Sequence, residues 1–193
     1  MTSWNVETLV APAERPVSAD VAAGDLRLDA DNQEPDLIGR LIDAAVGWIE
    51  RYTGRCLVEQ TVIEHIDCLP QGDTLRLHRY PITSVVVKYD DVDDVEQTWS
   101  ADNYWLNGAR IPPFLQLKDT SSWPDLRSGK RGALRVEITG GEDAADVPEP
   151  IKRAVIRLVA HLHEHRGVVA ANAGGELPYS VRALLADYRL SYL

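Results

Sequence analysis

The sequence is short of cysteine, phenylalanine, methionine and lysine. Its 193 residues include two cysteines, Cys56 and Cys68, too few and too far apart for a disulfide framework or a CxxC metal or redox pair. They read as reduced, partly buried thiols. No apolar run approaches the ~18–20 residues that cross a bilayer, and Met1-Thr2-Ser3-Trp4-Asn5 has neither a basic start nor an apolar stretch. Neither a secreted nor a membrane-spanning chain is expected. No GxxxxGK(S/T) or GxGxxG loop follows a strand-like stretch, and no GxSxG elbow occurs, so the common phosphate cradles and the nucleophile elbow are missing. Only four of the 20 basic residues are lysines, at 88, 118, 130 and 152. That bias, with abundant alanine, suggests a GC-rich bacterial or phage gene.

What is present is a globular composition: 45% hydrophobic and 26% charged residues, enough for a real core and unlike a disordered chain. The net charge is −10 and is unevenly spread. Residues 1–150 carry 14 basic against 27 acidic side chains, whereas residues 151–193 carry six against three. Affinity for a nucleic-acid backbone comes mainly from neutralising phosphates, so the acidic body argues against tight DNA binding.

The pattern divides into helix, strand and helix again. Met1–Pro16 holds two prolines and no period, and reads as an extended arm. Ser18 suits an N-cap for a short helix to about Leu28. Pro35 opens the clearest element, a helix over about Asp36–Thr53 stopped by Gly54. Its apolar residues Leu37, Ile38, Leu41, Ile42, Ala45, Val46, Trp48, Ile49 and Tyr52 cover about half the circumference, wider than the roughly 100° stripe one core needs. Either this is a central helix touched on two sides, or part of the arc meets a second copy.

From Cys56 to Gly140 the periodicity turns to strands. Candidates are Val62–Cys68, interrupted by the charged Glu64, then Leu75–Arg79, Ile82–Tyr89, Gln97–Trp99, Tyr104–Leu106, Phe114–Leu117 and Leu134–Thr139. The acidic run Asp90, Asp91, Asp93, Asp94 and Glu96 lacks the central Gly and terminal Glu of a calcium loop and reads as a solvated hairpin tip. Gly129-Lys130-Arg131-Gly132 reads as an exposed turn. A second strong helix follows Pro150, from Ile151 to about Arg166, and a small-residue loop over Gly167–Gly175 leads to a last amphipathic stretch. The expected class is α+β: mainly helical packing of N-terminal and C-terminal helices, with an inserted antiparallel β region.

For chemistry, only His161-Leu162-His163-Glu164-His165 invites attention. His161 and His165 share a helix face, but His163 points nearly opposite, at about 100° per residue. A metal site on His161 and His165 would need completion from elsewhere, and the run reads instead as the polar end of a packed helix. No catalytic, metal or cofactor site is therefore expected. Trp4, Trp99, Trp105 and Trp123 stand in arms, turns or strand ends, where aromatic residues serve contact surfaces. Together with Leu37, Leu41 and Trp48 they are the candidate subunit-interface residues. Packing of the β region onto the helices is the alternative. The segment from Leu177 to Leu193 is apolar where a chain end is usually polar, and so calls for a receptor in its own subunit or in a partner.

The ordered series of segments carries a resemblance. It runs from a Trp-containing arm with Pro16-Val17-Ser18, through Leu26-Arg27-Leu28-Asp29, to Ile49-Glu50-Arg51-Tyr52-Thr53-Gly54-Arg55. Leu77-His78-Arg79-Tyr80-Pro81-Ile82-Thr83-Ser84-Val85 and Asp102-Asn103-Tyr104 follow. It closes with Val147-Pro148-Glu149-Pro150-Ile151, Leu158-Val159-Ala160-His161, Glu164-His165-Arg166, Leu177-Pro178, Leu184-Leu185 and Tyr188-Arg189. Over nearly its whole length the chain resembles the head–tail connector (adaptor) family of tailed bacteriophages, found also in prophages and gene-transfer agents. It departs from that pattern at His163, where an aromatic is common, and in the small-residue loop Gly167–Gly175.

The resemblance implies a single connector domain: an arm over 1–17, helices over 18–55, a β-rich insert over 56–141, a long helix over 148–167 and a C-terminal segment over 176–193. It implies a non-enzymatic virion protein of the capsid–tail neck, made in the bacterial cytoplasm. Such a protein forms a homo-oligomeric ring, twelve-fold by family resemblance, beneath the portal protein. The ring would extend the DNA channel without binding DNA specifically and would join a further neck component, a stopper or tail protein. A neighbouring head-completion or stopper connector is the alternative within virion proteins, and a hydrolase using His161 and His165 is the alternative outside them. The expected portal-docking residues are Leu177, Pro178, Arg182, Leu184, Leu185, Tyr188, Arg189, Leu190, Tyr192 and Leu193.

Overall fold

The structure, a computed structural model, describes residues 6–26, 34–164 and 178–190. They fall into two compact units, one drawn from within Met1–Ala13, Glu59–Gly141 and Leu190–Leu193, the other from Glu14–Val58 and Glu142–Arg189. No described helix is long and apolar enough to cross a membrane.

The second unit is helical. Helix α1 (Ala19–Asp25) starts where Ser18 caps it, its hydroxyl accepting from the Val21 amide at 3.3 Å. Helix α2 (Pro35–Thr53) has its proline in the first turn, where a missing N–H costs nothing. It ends at Gly54, whose φ of 75° is the left-handed cap that a glycine adopts without steric cost. Helix α3 spans Glu149–Glu164, and α4 (Tyr179–Leu185) runs into a 3₁₀ turn at Ala186–Tyr188. The helices pack α1 on α2, α2 on α3 and α3 on α4, so the helices before and after the β region share one unit. Their apolar stripes supply one core, including Ile38, Ile42, Ile49, Leu57, Ile151, Val155, Leu158, Val181 and Leu185. Each such side chain contributes about 1.5–3 kcal/mol through removal from water. The broad arc of α2 is used within its own unit: Leu41, Val46, Trp48 and Tyr52 lie half-buried against that core. Leu28 and Gly167, the expected ends of α1 and α3, lie outside the described residues.

The first unit is built of antiparallel strands: β1 (Val6–Val10), β2 (Gln60–Ile66), β3 (Thr74–Arg76), β4 (Ser84–Asp90), β5 (Glu96–Trp99), β6 (Tyr104–Asn107), β7 (Phe114–Leu117) and β8 (Leu134–Gly140). Five form a sheet in the order β1-β2-β8-β4-β5, and three a second sheet in the order β3-β7-β6. Register explains the buried face. Glu64 stands opposite Val136, and Val87 opposite both Val136 and Trp99. These four residues form one inward row and all are buried. Gly140 permits a close crossing, because a Cβ there would lie 2.0 Å from the Pro81 carbonyl oxygen.

Three expectations need correction. The chain is α+β, but only 33% of the described residues are helical, so helices are not their main component. The arm is not merely extended: Val6–Val10 pairs with β2 as an edge strand. Cys56 is buried as expected, whereas Cys68 is exposed.

Candidate functional site

The most elaborate constellation surrounds the β4–β5 hairpin. The acidic run expected to be a solvated tip is only partly so. Asp90, at the end of β4, is 4% exposed. Its carboxylate accepts from Arg135 Nη2 at 2.6 Å, Arg135 Nη1 at 2.8 Å and Lys130 Nζ at 2.8 Å. Arg135 comes from β8, whose outward residues alternate with the buried Leu134, Val136 and Ile138. Lys130 comes from the turn between Gly129 and Gly132, both at positive φ. That turn is therefore clamped to the hairpin rather than free. Arg135 first, then Lys130, hold the Asp90 carboxyl well below the usual carboxylate range, and Asp90 in turn raises the Arg135 guanidinium.

Further bonds tie down the tip. Lys130 also reaches Asp94 at 2.8 Å, Arg135 reaches Glu96 at 2.8 Å, and Arg127 Nη1 donates to the Val92 carbonyl at 2.8 Å. Asp91 accepts from the backbone amides of Asp93 and Val95, each at 3.0 Å, and from Gln97 at 2.9 Å. The Val95 amide, followed by the Gln97 side chain, lowers the Asp91 carboxyl. This is a turn closed by its own first side chain. Val92 and Val95 point outward at the tip, 56% and 52% exposed, with the exposed Asp93 and Asp94 between them.

A second buried carboxylate, Glu64, lies on the inward face of β2 at 2% exposure. It accepts from the His78 backbone amide at 3.0 Å and pairs with the His78 ring at Nδ1. Both it and Asp90 escaped the reading of the sequence. Their partners stand 14 and 45 residues away, and strand alternation gave only a warning, that Glu64 interrupts an apolar face. Both carboxylates are engaged with basic or amide groups, which tie β4 to β8 at Asp90 and β2 to the chain after β3 at Glu64.

Among the described residues no group of three or more His, Cys, Asp or Glu side chains is arranged to hold a metal ion. His161 and His163 sit half-buried near the end of α3, and His165 lies outside the described residues.

The expected contact residues fare differently from one another. Trp99 is interior, 7% exposed, with its ring 5.2 Å from Tyr104 and 5.3 Å from Trp123. Burial pushes the Tyr104 phenol up. Trp123 is half-buried and its indole N–H donates to the Gly72 carbonyl at 2.8 Å. Leu37 is half-buried on α2, like Leu41 and Trp48. Trp105, on the edge strand β6, is 49% exposed. Trp4 lies outside the described residues.

Helix α4 and the turn after it pack within their own helical unit. Of the expected docking residues, Leu177, Tyr192 and Leu193 lie outside the described residues. Leu185 is fully buried, and Leu184 and Tyr188 pack against the core of their own helical unit. Arg189 stacks over the Tyr52 ring at 5.1 Å, and Arg55 over Tyr188 at 5.8 Å. Leu190 is 7% exposed. Pro178 and Arg182 are half-buried, and Tyr179, not among the expected residues, is 87% exposed. The apolar face of α4 thus has its receptor in its own subunit, because α3 offers a complementary stripe.

No protein-family model matches the sequence, and no curated protein matches it. Solved structures do share its fold. A chain from the neck of an empty GTA particle, computed with C6 symmetry, superposes with a TM-score of 0.79 at 22% identity, over 97% of this chain and 96% of that one. A chain from the virion of a native gene transfer agent (GTA) particle gives 0.78 at 21% identity, over 98% and 97%. One from the neck of a native GTA particle, computed with C12 symmetry, gives 0.68 at 20% identity, over 96% and 97%. The likeness is one of fold and runs from end to end.

Proposed function

We propose that this chain is a structural protein of the neck of a phage-like particle. In this reading it is a head–tail adaptor that forms a ring beneath the portal, extends the DNA channel and carries the next neck component. The observation that carries the reading is the match over 96% or more of both chains to components of gene transfer agent particles, two of them necks treated with C6 and C12 symmetry. Those symmetries support a ring, and twelve copies is the number proposed. The charged constellations also support a structural role, since they tie separate segments of the β unit together. A net charge of −10 suits a channel wall along which DNA slides without adhering.

Portal docking through the C-terminal segment stays part of the proposal in revised form. Freeing α4 would expose Val181 and Leu185, both fully buried, at about 3–6 kcal/mol for the pair. Docking therefore proceeds with α4 in place, through Tyr179 and residues beyond the helical core, unless the portal offers an equal apolar surface. The test is to mix the purified chain with the portal protein encoded alongside it. An adaptor binds portal directly and forms a ring on it. A stopper binds only once the adaptor is present, and direct binding failure would remove the adaptor assignment.

A further inference from the structure

The helical unit contains a cleft of about 450 Å³ lined by Asp25, Arg153, Ile156, Arg157, Ala160 and Leu184, within the ~300–1,000 Å³ range of recognition pockets. Its floor is apolar, since Ile156 and Leu184 pack on the core beneath it. Its wall is basic: Arg153 and Arg157 are one helical turn apart on the exposed side of α3. Neither makes an ion pair among the described residues. Asp25 also lines it, with the opposite sign. Such a cleft accepts an object with an apolar tip and a carboxylate beside it to meet the arginines.

The same chain presents such an object. The β4–β5 tip offers Val92 and Val95 outward, with the carboxylates of Asp93 and Asp94 between them. Arg127, Lys130, Arg135 and the Asp91 side chain hold it in one shape, so little ordering cost remains to be met on binding. We infer that the hairpin tip of one copy seats in the Arg153–Arg157 cleft of the next copy, valines on Ile156 and Leu184, Asp93 on the arginines. The two surfaces are different patches of one chain, which makes the contact heterologous, and repetition of such a contact closes into a ring when the rotation allows. This inference rests on the ring reading above and names the contact that would build the ring.

The test uses full-length chains on portal. In a Cys68→Ser background, Val92→Cys and Ala160→Cys are made in separate chains, mixed and oxidised. A disulfide joining one variant to the other is expected, and neither variant should cross-link alone. Separately, Arg157→Asp should cut ring yield about tenfold or more, and combining it with Asp93→Arg in the same chain should restore most of the yield. If wild-type rings form but no cross-link appears, or Arg157→Asp assembles as wild type, the tip-in-cleft contact is wrong while the ring reading stands. If the wild-type chain forms no ring on portal, the ring reading fails and this contact fails with it.

Discussion

Replacing Asp90 by alanine probes the clamp that shapes the hairpin. The substitution removes three charge-assisted bonds, two from Arg135 and one from Lys130. Truncating one partner of a buried ion pair typically costs about 3–5 kcal/mol, because the other charge is left without compensation. Here the bereaved cations keep other partners: Arg135 retains Glu96 at 2.8 Å, and Lys130 retains Asp94 at 2.8 Å. The expected loss is therefore about 2–3 kcal/mol, nearer the value of hydrogen bonds to charged groups. Chemical denaturation at neutral pH measures it. The pH dependence provides a second check with a definite sign. The folded Asp90 carboxyl lies below its unfolded value, so its stabilisation is fully present above about pH 4 and is lost as pH falls toward the folded value. Asp90→Ala should flatten that acid limb while leaving the profile above about pH 5 parallel to wild type. A cost below about 0.5 kcal/mol, the range of ordinary surface substitutions, would refute the clamp.

Other consequences are equally checkable. Gly140→Ala places a methyl group against the Pro81 carbonyl oxygen; thermal unfolding should show a loss of about 3 kcal/mol or outright misfolding, and an unchanged midpoint would contradict the close crossing. Ile42→Ala, in the fully buried stripe of α2, should cost about 2–5 kcal/mol by equilibrium denaturation. Deleting Asp187–Leu193 removes Tyr188, Arg189 and Leu190 from packed positions, so the truncated chain should lose stability by about 2–4 kcal/mol and not simply lose a loose tail. The purified chain should show no submicromolar, salt-sensitive binding to duplex DNA, a fluorescence-anisotropy measurement that an unrecognised basic channel would overturn.

The helical unit was legible in the sequence because its signals are local. Pro35 and Gly54 bracket α2, Ser18 caps α1, and the stripe from Ile151 to Leu162 specifies α3 without reference to anything distant. Most strands were legible within a residue or two for the same reason, as Phe114–Leu117 shows. The strand Val6–Val10 was not, because as an edge strand with four of its five residues exposed it has no inward face to impose alternation. Glu64 and Asp90 were misread as interruption and solvated tip because burial of a charge is decided by its partner, and His78 and Arg135 arrive only through the sheet's topology. Trp99 looked like a surface aromatic until pairing with β4 turned it inward. The C-terminal leucines read from the sequence as needing a receptor, but periodicity cannot say whether that receptor is a partner or, as for Leu184 and Leu185, the helical core of the same chain. Of the candidate contact surface, Trp105 was legible in the sequence as an exposed aromatic, whereas the tip and the cleft needed the fold to bring their residues together.

The most direct test of a neck-ring role is a cryo-EM map of the neck of the particle encoded with this chain. A ring of twelve copies seated on the portal, fitted by this fold with Trp105 and the β4–β5 tip at subunit contacts, is the expected result. A neck built without this chain, or a particle in which it lies away from the portal–tail junction, would contradict it.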